Sequence, residues 1–328
     1  LKVVITDHPF PSADIEREAL AAIGAQLVVG RCREAAEVID LARDADGVLV
    51  TYAPITRAVI EALTRCKIIA RMGIGLDNVD IPAASGRGIV VTNVPDYCVD
   101  EVSDHALALL LGCVRRLRQL DQSVRSGHWD FRPYRPIPRI RGKIIGLVGF
   151  GKIARAMARK CQGLGMQVAA FDPYIASDIV RSQGVVPLRS LEELLRESDF
   201  VSVHVPLGPD TRGLFGETEF SLMKQGAVLV NTARAEIVVE EALAQALASG
   251  RLTAAGLDVI ANPRADHPLL AFPGVLISPH AAFFSEEATE ELQTRAVGDV
   301  VRVLTGALPL NPVNPEVLAG VEAKTNGG

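Results

Sequence analysis

Short apolar runs alternate with amphipathic stretches along most of the chain. Residues 2–7, 26–29, 47–51, 67–70 and 89–92 are Val/Ile-rich runs of strand length, and 14–23, 34–42 and 57–63 between them carry apolar residues at helical spacing. A parallel neighbour is reached only through a crossover, so strands alternating with helices of this length predict one parallel α/β sheet covered on both faces. A long amphipathic helix is predicted over about 100–126, followed by the arm Arg132-Pro-Tyr-Arg-Pro-Ile-Pro-Arg139. A second series then begins, with apolar runs at 144–149, 167–172, 200–205, 227–231, 254–259 and 275–278 separated by helical stretches. The pattern over 285–306 is that of a single amphipathic helix, with Leu292, Val300, Val303 and Leu304 on its apolar side. Nothing beyond it is able to fold alone, so this last segment is expected to dock on the first domain and make it discontinuous. The expected domains are 1–98 with 283–328, and 99–282. The polar tail over 322–328 is expected to fray.

A chain of 328 residues has room for two cores of this kind. Its 39 acidic and 34 basic side chains give a net charge of −5, which argues against a surface built to neutralise phosphate backbones, so nucleic acid is not an expected partner. The mean hydropathy is +0.24, yet no apolar run approaches the roughly 18 to 20 residues that cross a bilayer, and no membrane partner is expected. Cys32, Cys66, Cys98, Cys113 and Cys161 are odd in number, scattered and never spaced Cys-x-x-Cys, which indicates neither a disulfide framework nor a zinc site. No metal-ligand spacing is visible elsewhere, and without a signal-peptide pattern a cytoplasmic location is expected.

Candidate chemistry enters at Gly149-Phe150-Gly151-Lys152-Ile153-Ala154, which follows a predicted strand and opens a predicted helix. Two glycines permit a tight turn and close approach of backbone to a pyrophosphate, and the helix N-terminus faces the negative charge. Asp172 stands at the end of the next strand, where a carboxylate hydrogen-bonds ribose hydroxyls and repels a 2′-phosphate. The expected cofactor is therefore NAD, and the second domain is expected to be a Rossmann fold. The fold class is α/β with two doubly wound parallel-sheet domains, the discontinuous one being a flavodoxin-like substrate domain.

Seven segments fall in one order: Arg71-Met-Gly-Ile-Gly-Leu-Asp-Asn-Val-Asp80, Thr92-Asn-Val-Pro-Asp-Tyr-Cys98, Val148-Gly-Phe-Gly-Lys152, His204-Val-Pro-Leu207, Asn231-Thr-Ala-Arg234, Gly256-Leu-Asp-Val259 and Ser278-Pro-His-Ala-Ala282. Over nearly its whole length the chain thus resembles the D-isomer-specific 2-hydroxyacid dehydrogenases. In Asn93-Val-Pro95 and His280-Ala-Ala-Phe-Phe-Ser285 it is most similar to the branch containing the C-terminal binding proteins. The resemblance implies that Arg234 anchors a substrate carboxylate, a task suited to the two-pronged guanidinium. It implies that His280 exchanges a proton with the substrate oxygen, for which an imidazole titrates in the right range. It implies that Asp258 contacts the nicotinamide carboxamide, that backbone donors of Met72, Gly73 and Ile74 meet the carboxylate, and that Phe283 lines the substrate cavity. To the cofactor it further assigns Phe150, Lys152, Ile153, His204, Val205, Pro206, Thr211, Thr232 and Ala233, with Arg234 and His280 adjoining. His105 and His128 are read as structural.

One departure from the family pattern bears on mechanism. The family sets a glutamate before a proline beyond the carboxamide aspartate, where it hydrogen-bonds the catalytic histidine. Here the loop is shorter and Asn262 precedes Pro263. An asparagine oxygen can orient an imidazole but stabilises its charged form much less, so a weaker base is expected. Asp266 and Glu236 are alternative carboxylates, both read as solvated. Glu236 and Ala235 also replace two family glycines after Arg234. The expected function is NAD-dependent interconversion of a small 2-oxo acid and its D-2-hydroxy acid, with a small carboxylate as substrate. An NAD(H)-sensing binding protein of corepressor type, and formate-like hydride abstraction without proton transfer, stay open beside it. The helix from Asp100 and the arm after it resemble the elements through which the family forms dimers, so a homodimer is expected.

Overall fold

The computed structural model describes residues 1–318; the tail expected to fray lies outside the described residues. In chain order the elements are β1 (Lys2–Ile5), α1 (Asp14–Ala21), β2 (Gln26–Val29), α2 (Ala35–Ala42), β3 (Gly47–Val50), α3 (Arg57–Ala62), β4 (Ile68–Arg71), α4 (Ile81–Gly86) and β5 (Val90–Thr92). Then come α5 (Val99–Val114), α6 (Leu117–Arg125), β6 (Ile144–Val148), α7 (Lys152–Gly163), β7 (Gln167–Phe171), α8 (Ser177–Ser182), β8 (Val186–Pro187), α9 (Leu191–Glu197) and β9 (Phe200–Val203). The remainder is α10 (Glu217–Leu222), β10 (Ala227–Asn231), α11 (Glu240–Ala248), β11 (Leu252–Leu257), β12 (Val275–Ile277) and α12 (Glu286–Leu304). Two compact units result: Leu1–Tyr97 together with the chain from Ser285 on, and Cys98–Phe284.

The first unit is a parallel sheet of order β2-β1-β3-β4-β5, the flavodoxin-like doubly wound order. β3 and β4 are buried along their whole length, as strands covered on both faces must be. α12 reaches back onto this sheet, and Gly47 lets it come close: a Cβ there would lie 3.2 Å from Val300 Cγ1. A buried carboxylate ties the same helix to α1, since both oxygens of Glu16 accept from Gln293 Nε2 at 3.1 Å. The chain after α12 is fastened by Asn314. Its Oδ1 accepts the Val91 N–H at 2.8 Å, and its Nδ2 donates to the Ile89 carbonyl at 2.9 Å and to Ser85 Oγ at 3.0 Å. One amide side chain thus does for the edge strand β5 what a further strand would do.

The second unit has seven parallel strands in the order β12-β11-β10-β9-β6-β7-β8. Its first six in chain order follow the dinucleotide-binding arrangement, with β12 added at one edge. The sequence shows six apolar runs here; the seventh strand, β8, is a two-residue edge strand whose Val186 is exposed, too short and wet to leave a hydrophobic signal. The long helix predicted over 100–126 is two helices, because Arg116 adopts a left-handed φ of +54° with no glycine or proline to announce it. α5 lies along β10, β11 and β12 and runs out of sheet at Cys113, whose Sγ is 3.9 Å from the Gly274 carbonyl just before β12. The chain turns there, and Arg118 Nη1 holds α6 by donating to the Val275 carbonyl at 2.7 Å.

Asn314→Ala strips two buried backbone groups of β5 and its approach of their partners, at about 1 to 3 kcal/mol for each. The expected loss is roughly 3 kcal/mol in the unfolding of the first unit, read from urea transitions. A loss below about 0.5 kcal/mol, the level of a neutral surface change, would show that the clamp is not needed.

Candidate active site

The carboxyl ends of the second unit's strands gather the cofactor-type residues. Gly149, after β6, has φ +90°, and its N–H donates to the Phe171 carbonyl at 2.9 Å. A Cβ on Gly149 would lie 2.8 Å from the His204 carbonyl oxygen and 3.0 Å from Val205 Cγ1. The loops after β6 and β9 therefore touch, at the point where the strand order reverses. Gly151 is different: it is exposed, and a Cβ there would meet nothing within 4 Å. It caps the twelve-residue helix α7, which has no side-chain cap and no acidic residue in its first turn, so this helix N-terminus suits an anion. Lys152 is exposed at the start of that helix and Ile153 half-buried beside it.

Asp172 does more than await a ribose. Its Oδ2 accepts the Phe150 N–H at 2.8 Å and its Oδ1 the Tyr174 N–H at 2.9 Å, which locks the glycine loop to the end of β7. Arg155 braces the same loop, with Nε donating to the Phe150 carbonyl at 3.0 Å and its guanidinium 5.5 Å from the Phe150 ring. Across the reversal, His204 Nε2 pairs with Ser202 Oγ at 2.9 Å, and burial lowers the imidazole from its ordinary 6.5 to about 4. Pro206 and Thr211 close a loop on themselves: Thr211 Oγ1 donates to the Pro206 carbonyl at 2.6 Å and accepts the Gly208 N–H at 2.8 Å. Thr232, beside the half-buried Ala233, has a buried hydroxyl with no hydrogen-bond partner among the described residues. An orphaned hydroxyl, an open helix N-terminus and a glycine cradle fit a dinucleotide.

The residues expected to carry proton and anion chemistry sit at the ends of three neighbouring strands. After β10, Asn231 shapes the turn: its Oδ1 accepts the Ala233 N–H at 3.0 Å and its Nδ2 donates to the Arg234 carbonyl at 2.8 Å. Arg234 is half-buried and donates from Nη1 to the Ala233 carbonyl at 2.8 Å. After β11 comes Asp258, 1% exposed, whose N–H donates to the Asn231 carbonyl at 2.9 Å. Oδ1 of Asp258 accepts from Ser278 Oγ at 2.6 Å and from the Ala281 N–H at 2.9 Å, and Oδ2 accepts from the Ala282 N–H at 2.9 Å. Those donors lie in the turn after β12 that carries His280, whose own N–H donates to the Asp258 carbonyl at 2.8 Å. His280 has a φ of +54°, a region that non-glycine residues enter only where their surroundings hold them. Phe283 stands edge-on to the imidazole, ring centres 6.1 Å apart.

Two hydrogen-bonding residues, one in each unit, leave no signal in the sequence pattern. His105 of α5, read as structural, places Nε2 at 2.7 Å from Ser278 Oγ and 3.6 Å from Asp258 Oδ1. In the first unit, Asp7 after β1 accepts the N–H groups of Thr51, Tyr52 and Ala53 after β3, at 3.1, 2.6 and 3.3 Å. The structure also changes the picture at Met72, Gly73 and Ile74. The Met72 N–H donates to the Val50 carbonyl at 2.7 Å and the Gly73 N–H to the Arg71 carbonyl at 3.0 Å. Both are spent on the fold, so only the Ile74 N–H is without a partner among the described residues. Gly73 is at φ +143°, a conformation that favours glycine, and the guanidinium of the buried Arg71 occupies the space where its Cβ would be.

Asn262 is exposed, at φ +47°, and among the described residues no hydrogen bond joins its side chain to His280. Asp266 is exposed and paired with Arg264 at 2.9 Å, and Glu236 is exposed in a short 3-10 turn. No group of three or more His, Cys, Asp or Glu among the described residues is arranged to hold a metal ion. Burial pushes the thiols of Cys66, Cys113 and Cys161 up to about 12, so none supplies a thiolate. No helix of the described residues is long and apolar enough to cross a membrane.

Residues 107–282 match the family model described as D-isomer specific 2-hydroxyacid dehydrogenase, NAD binding domain. Among curated proteins, the chain is 34% identical over 317 residues to D-3-phosphoglycerate dehydrogenase of Methanocaldococcus jannaschii, covering 96% of this chain and 59% of that one. It is 37% identical over 290 residues to glyoxylate reductase of Korarchaeum cryptofilum, covering 86% of each. The chain spans only 59% and 49% of the lengths of the two archaeal phosphoglycerate dehydrogenases it matches. Among solved structures, D-lactate dehydrogenase from Aquifex aeolicus complexed with NAD and lactic acid superposes with a TM-score of 0.86 at 27% identity, covering 95% of this chain and 98% of that one.

The low value at His204 has a thermodynamic consequence. Between pH 6.5 and about 4 the unfolded chain binds a proton here that the folded chain refuses, so stability contributed above 6.5 is lost as the pH falls through that window. The expected loss is at most about 3 kcal/mol. In His204→Gln that part of the acid sensitivity should vanish from urea midpoints taken between pH 4 and 7, and a wild-type imidazole titrating near 6.5 by NMR would contradict it.

Proposed function

The chain belongs to the D-isomer-specific 2-hydroxyacid dehydrogenases, and on that premise we propose that it is an NAD-dependent oxidoreductase interconverting a small 2-oxo acid and its D-2-hydroxy acid. One observation carries the proposal: Arg234, Asp258 and His280 stand at the ends of the adjacent strands β10, β11 and β12, joined through the Asp258 backbone, at the same sheet edge as the glycine loop. The glycine loop, the α7 N-terminus and Asp172 would hold the dinucleotide, which would supply the hydride for the 2-oxo carbon. Arg234 offers its guanidinium to the substrate carboxylate in a two-pronged contact, which fixes the carbonyl and draws electron density from it. His280 gives its proton to the carbonyl oxygen as that oxygen gains charge, and takes it back in the reverse direction. The balance is 2-oxo acid, NADH and one proton on one side, 2-hydroxy acid and NAD⁺ on the other. Phe283, edge-on to the imidazole, limits where that ring can turn. Asn262 is given no step.

Asp172 supports NAD over its 2′-phosphorylated form, because a carboxylate already holding two backbone N–H groups cannot swing away from an added phosphate. A homodimer is proposed as well: the arm after α6 exposes 90% of Trp129 and 66% of Phe131, large apolar surfaces suited to a partner copy. Sedimentation at micromolar concentration should give twice the chain mass, and a monomer would remove that part of the reading.

Turnover is measured as NADH oxidation with glyoxylate, pyruvate, hydroxypyruvate, 2-oxobutyrate and phenylpyruvate between pH 5 and 8. Reduction needs His280 protonated, so kcat/KM should fall as the pH rises through its titration, and oxidation of the hydroxy acid should do the reverse. Arg234→Ala should lower kcat/KM by about a hundredfold or more, the scale of a lost charge-assisted contact to the reacting group. Tight NADH binding with no turnover on any acid would favour a nucleotide-sensing role. A rate independent of pH, with formate as donor, would favour hydride abstraction without proton transfer.

A further inference from the structure

The apolar stripe of α5 carries one residue that a core does not require. His105, Leu109 and Cys113 recur every four residues and so share a helix face. Leu109 lies against Gly256 of β11, where a Cβ would come within 2.8 Å of the Leu109 Cβ, and Cys113 reaches the Gly274 carbonyl before β12. One turn back from Leu109 is about 6 Å along the helix, close to the roughly 6.6 Å that separates Gly256 from Asp258 along an extended chain. The stripe therefore passes over the buried carboxylate at His105, where a leucine would leave a polar cluster facing hydrocarbon.

Counting hydrogens settles who donates. The Ser278 hydroxyl has one hydrogen, and the carboxylate oxygen 2.6 Å away can only accept, so that hydrogen points to Asp258 Oδ1. Ser278 Oγ is then the acceptor toward His105, and Nε2, 2.7 Å away, must carry a hydrogen. Among the described residues Oδ1 takes two donors, Ser278 and the Ala281 N–H, whereas Oδ2 takes one, the Ala282 N–H, and keeps one lone pair. We propose that His105 is a positioning residue which, through Ser278, fixes the Asp258 carboxylate so that it shapes the turn carrying His280 and presents Oδ2 to an amide donor. The proposal rests on the function argued above in taking that donor to be the cofactor carboxamide.

The test combines the nitrogen NMR spectrum of His105 with fluorescence titrations of NADH and of its reduced 3-acetylpyridine analogue, whose ketone has no N–H for Oδ2. Wild type, His105→Leu, His105→Gln, Ser278→Ala and the Leu/Ala double variant are compared, with thermal unfolding as the folding control. His105→Leu should weaken NADH by about tenfold, the scale of a hydrogen bond to a charged group, and His105→Gln, which keeps an N–H at similar reach, should stay within about threefold of wild type. The double variant should be no weaker than Ser278→Ala, because His105 reaches the carboxylate only through Ser278. The penalty should shrink for the acetylpyridine analogue. A bare Nε2 in the wild-type spectrum, equal penalties for Leu and Gln, additive penalties in the double variant, or the same penalty with both dinucleotides would each overturn the assignment. Should His105→Leu fail to fold, Ser278→Ala carries the binding comparison. Wild type that binds no NADH would defeat the function argued above, while the nitrogen spectrum would still decide where the His105 hydrogen sits.

Discussion

A charge buried at the end of β11 organises the chemistry of the larger unit. Asp258 is 1% exposed, and an ionised carboxylate taken that far from water must be surrounded by donors. Its donors are the Ser278 hydroxyl and the N–H groups of Ala281 and Ala282, so satisfying the charge and bending the chain around His280 are one event. The left-handed backbone of His280 costs on the order of 1 kcal/mol, and hydrogen bonds to a charge contribute about 1.5 to 3 kcal/mol each, so the turn is stable despite its strain. The Asp258 backbone extends the same order sideways, accepting from His280 and donating to Asn231, whose side chain in turn sets the Arg234 turn. Arg234 and His280, on separate strands and proposed as anion anchor and proton donor, are thereby placed by one residue that is proposed for neither role.

The two sheets handle their points of strand reversal by related means. In the larger unit the loops after β6 and β9 come into contact over Gly149, and the absence of a side chain is what leaves backbone N–H groups facing outward. In the smaller unit the strands on either side of the reversal are β1 and β3, and Asp7 gathers three successive N–H groups of the β3 loop. Arg71 and Gly73 show the cost of such packing. The guanidinium fills the space a side chain at residue 73 would need, and the nearby N–H groups of Met72 and Gly73 are absorbed by the sheet and by a tight turn.

The alternation of apolar runs and amphipathic stretches was enough to read two parallel sheets, the returning helix α12 and the glycine loop with its aspartate, because burial on both faces and a helix-opening turn leave strong local patterns. What escaped the reading depends on contacts between distant residues. β8 pairs through two residues at a wet edge. The break at Arg116 comes where α5 reaches the end of the sheet it covers, a length fixed by β11 and β12 rather than by any residue near the break. The motif marks Met72 and Gly73 as donors, but whether an N–H is available depends on the local fold, here the Val50 carbonyl across the sheet for Met72 and a tight turn onto Arg71 for Gly73. His105 was passed over because a lone histidine on an apolar stripe has no local signature. Its meaning depends on Asp258 and Ser278, which lie far along the chain and reach it only through the close contact of Leu109 with Gly256.

The loop between β11 and β12 makes the same point about substituted motifs. Where the family pattern would set a glutamate, this chain has the exposed Asn262, yet a carboxylate and an imidazole do meet in the loop. Oε1 of Glu240, at the start of α11, accepts the Ala261 N–H at 2.7 Å, and its Oε2 pairs with Nε2 of the buried His267 at 3.1 Å. Nδ1 of His267 accepts the Leu269 N–H at 3.3 Å, so its Nε2 is the nitrogen that carries hydrogen to Glu240. The loop, anchored in the core by Leu269, is tied further by this pair, and α11, whose first turn is acidic, supplies the charge where the helix dipole favours it. The acid-histidine pairing here serves the shape of the loop. The chemistry of a motif position thus cannot be inferred from the residue found there until the chain's other carboxylates have been placed.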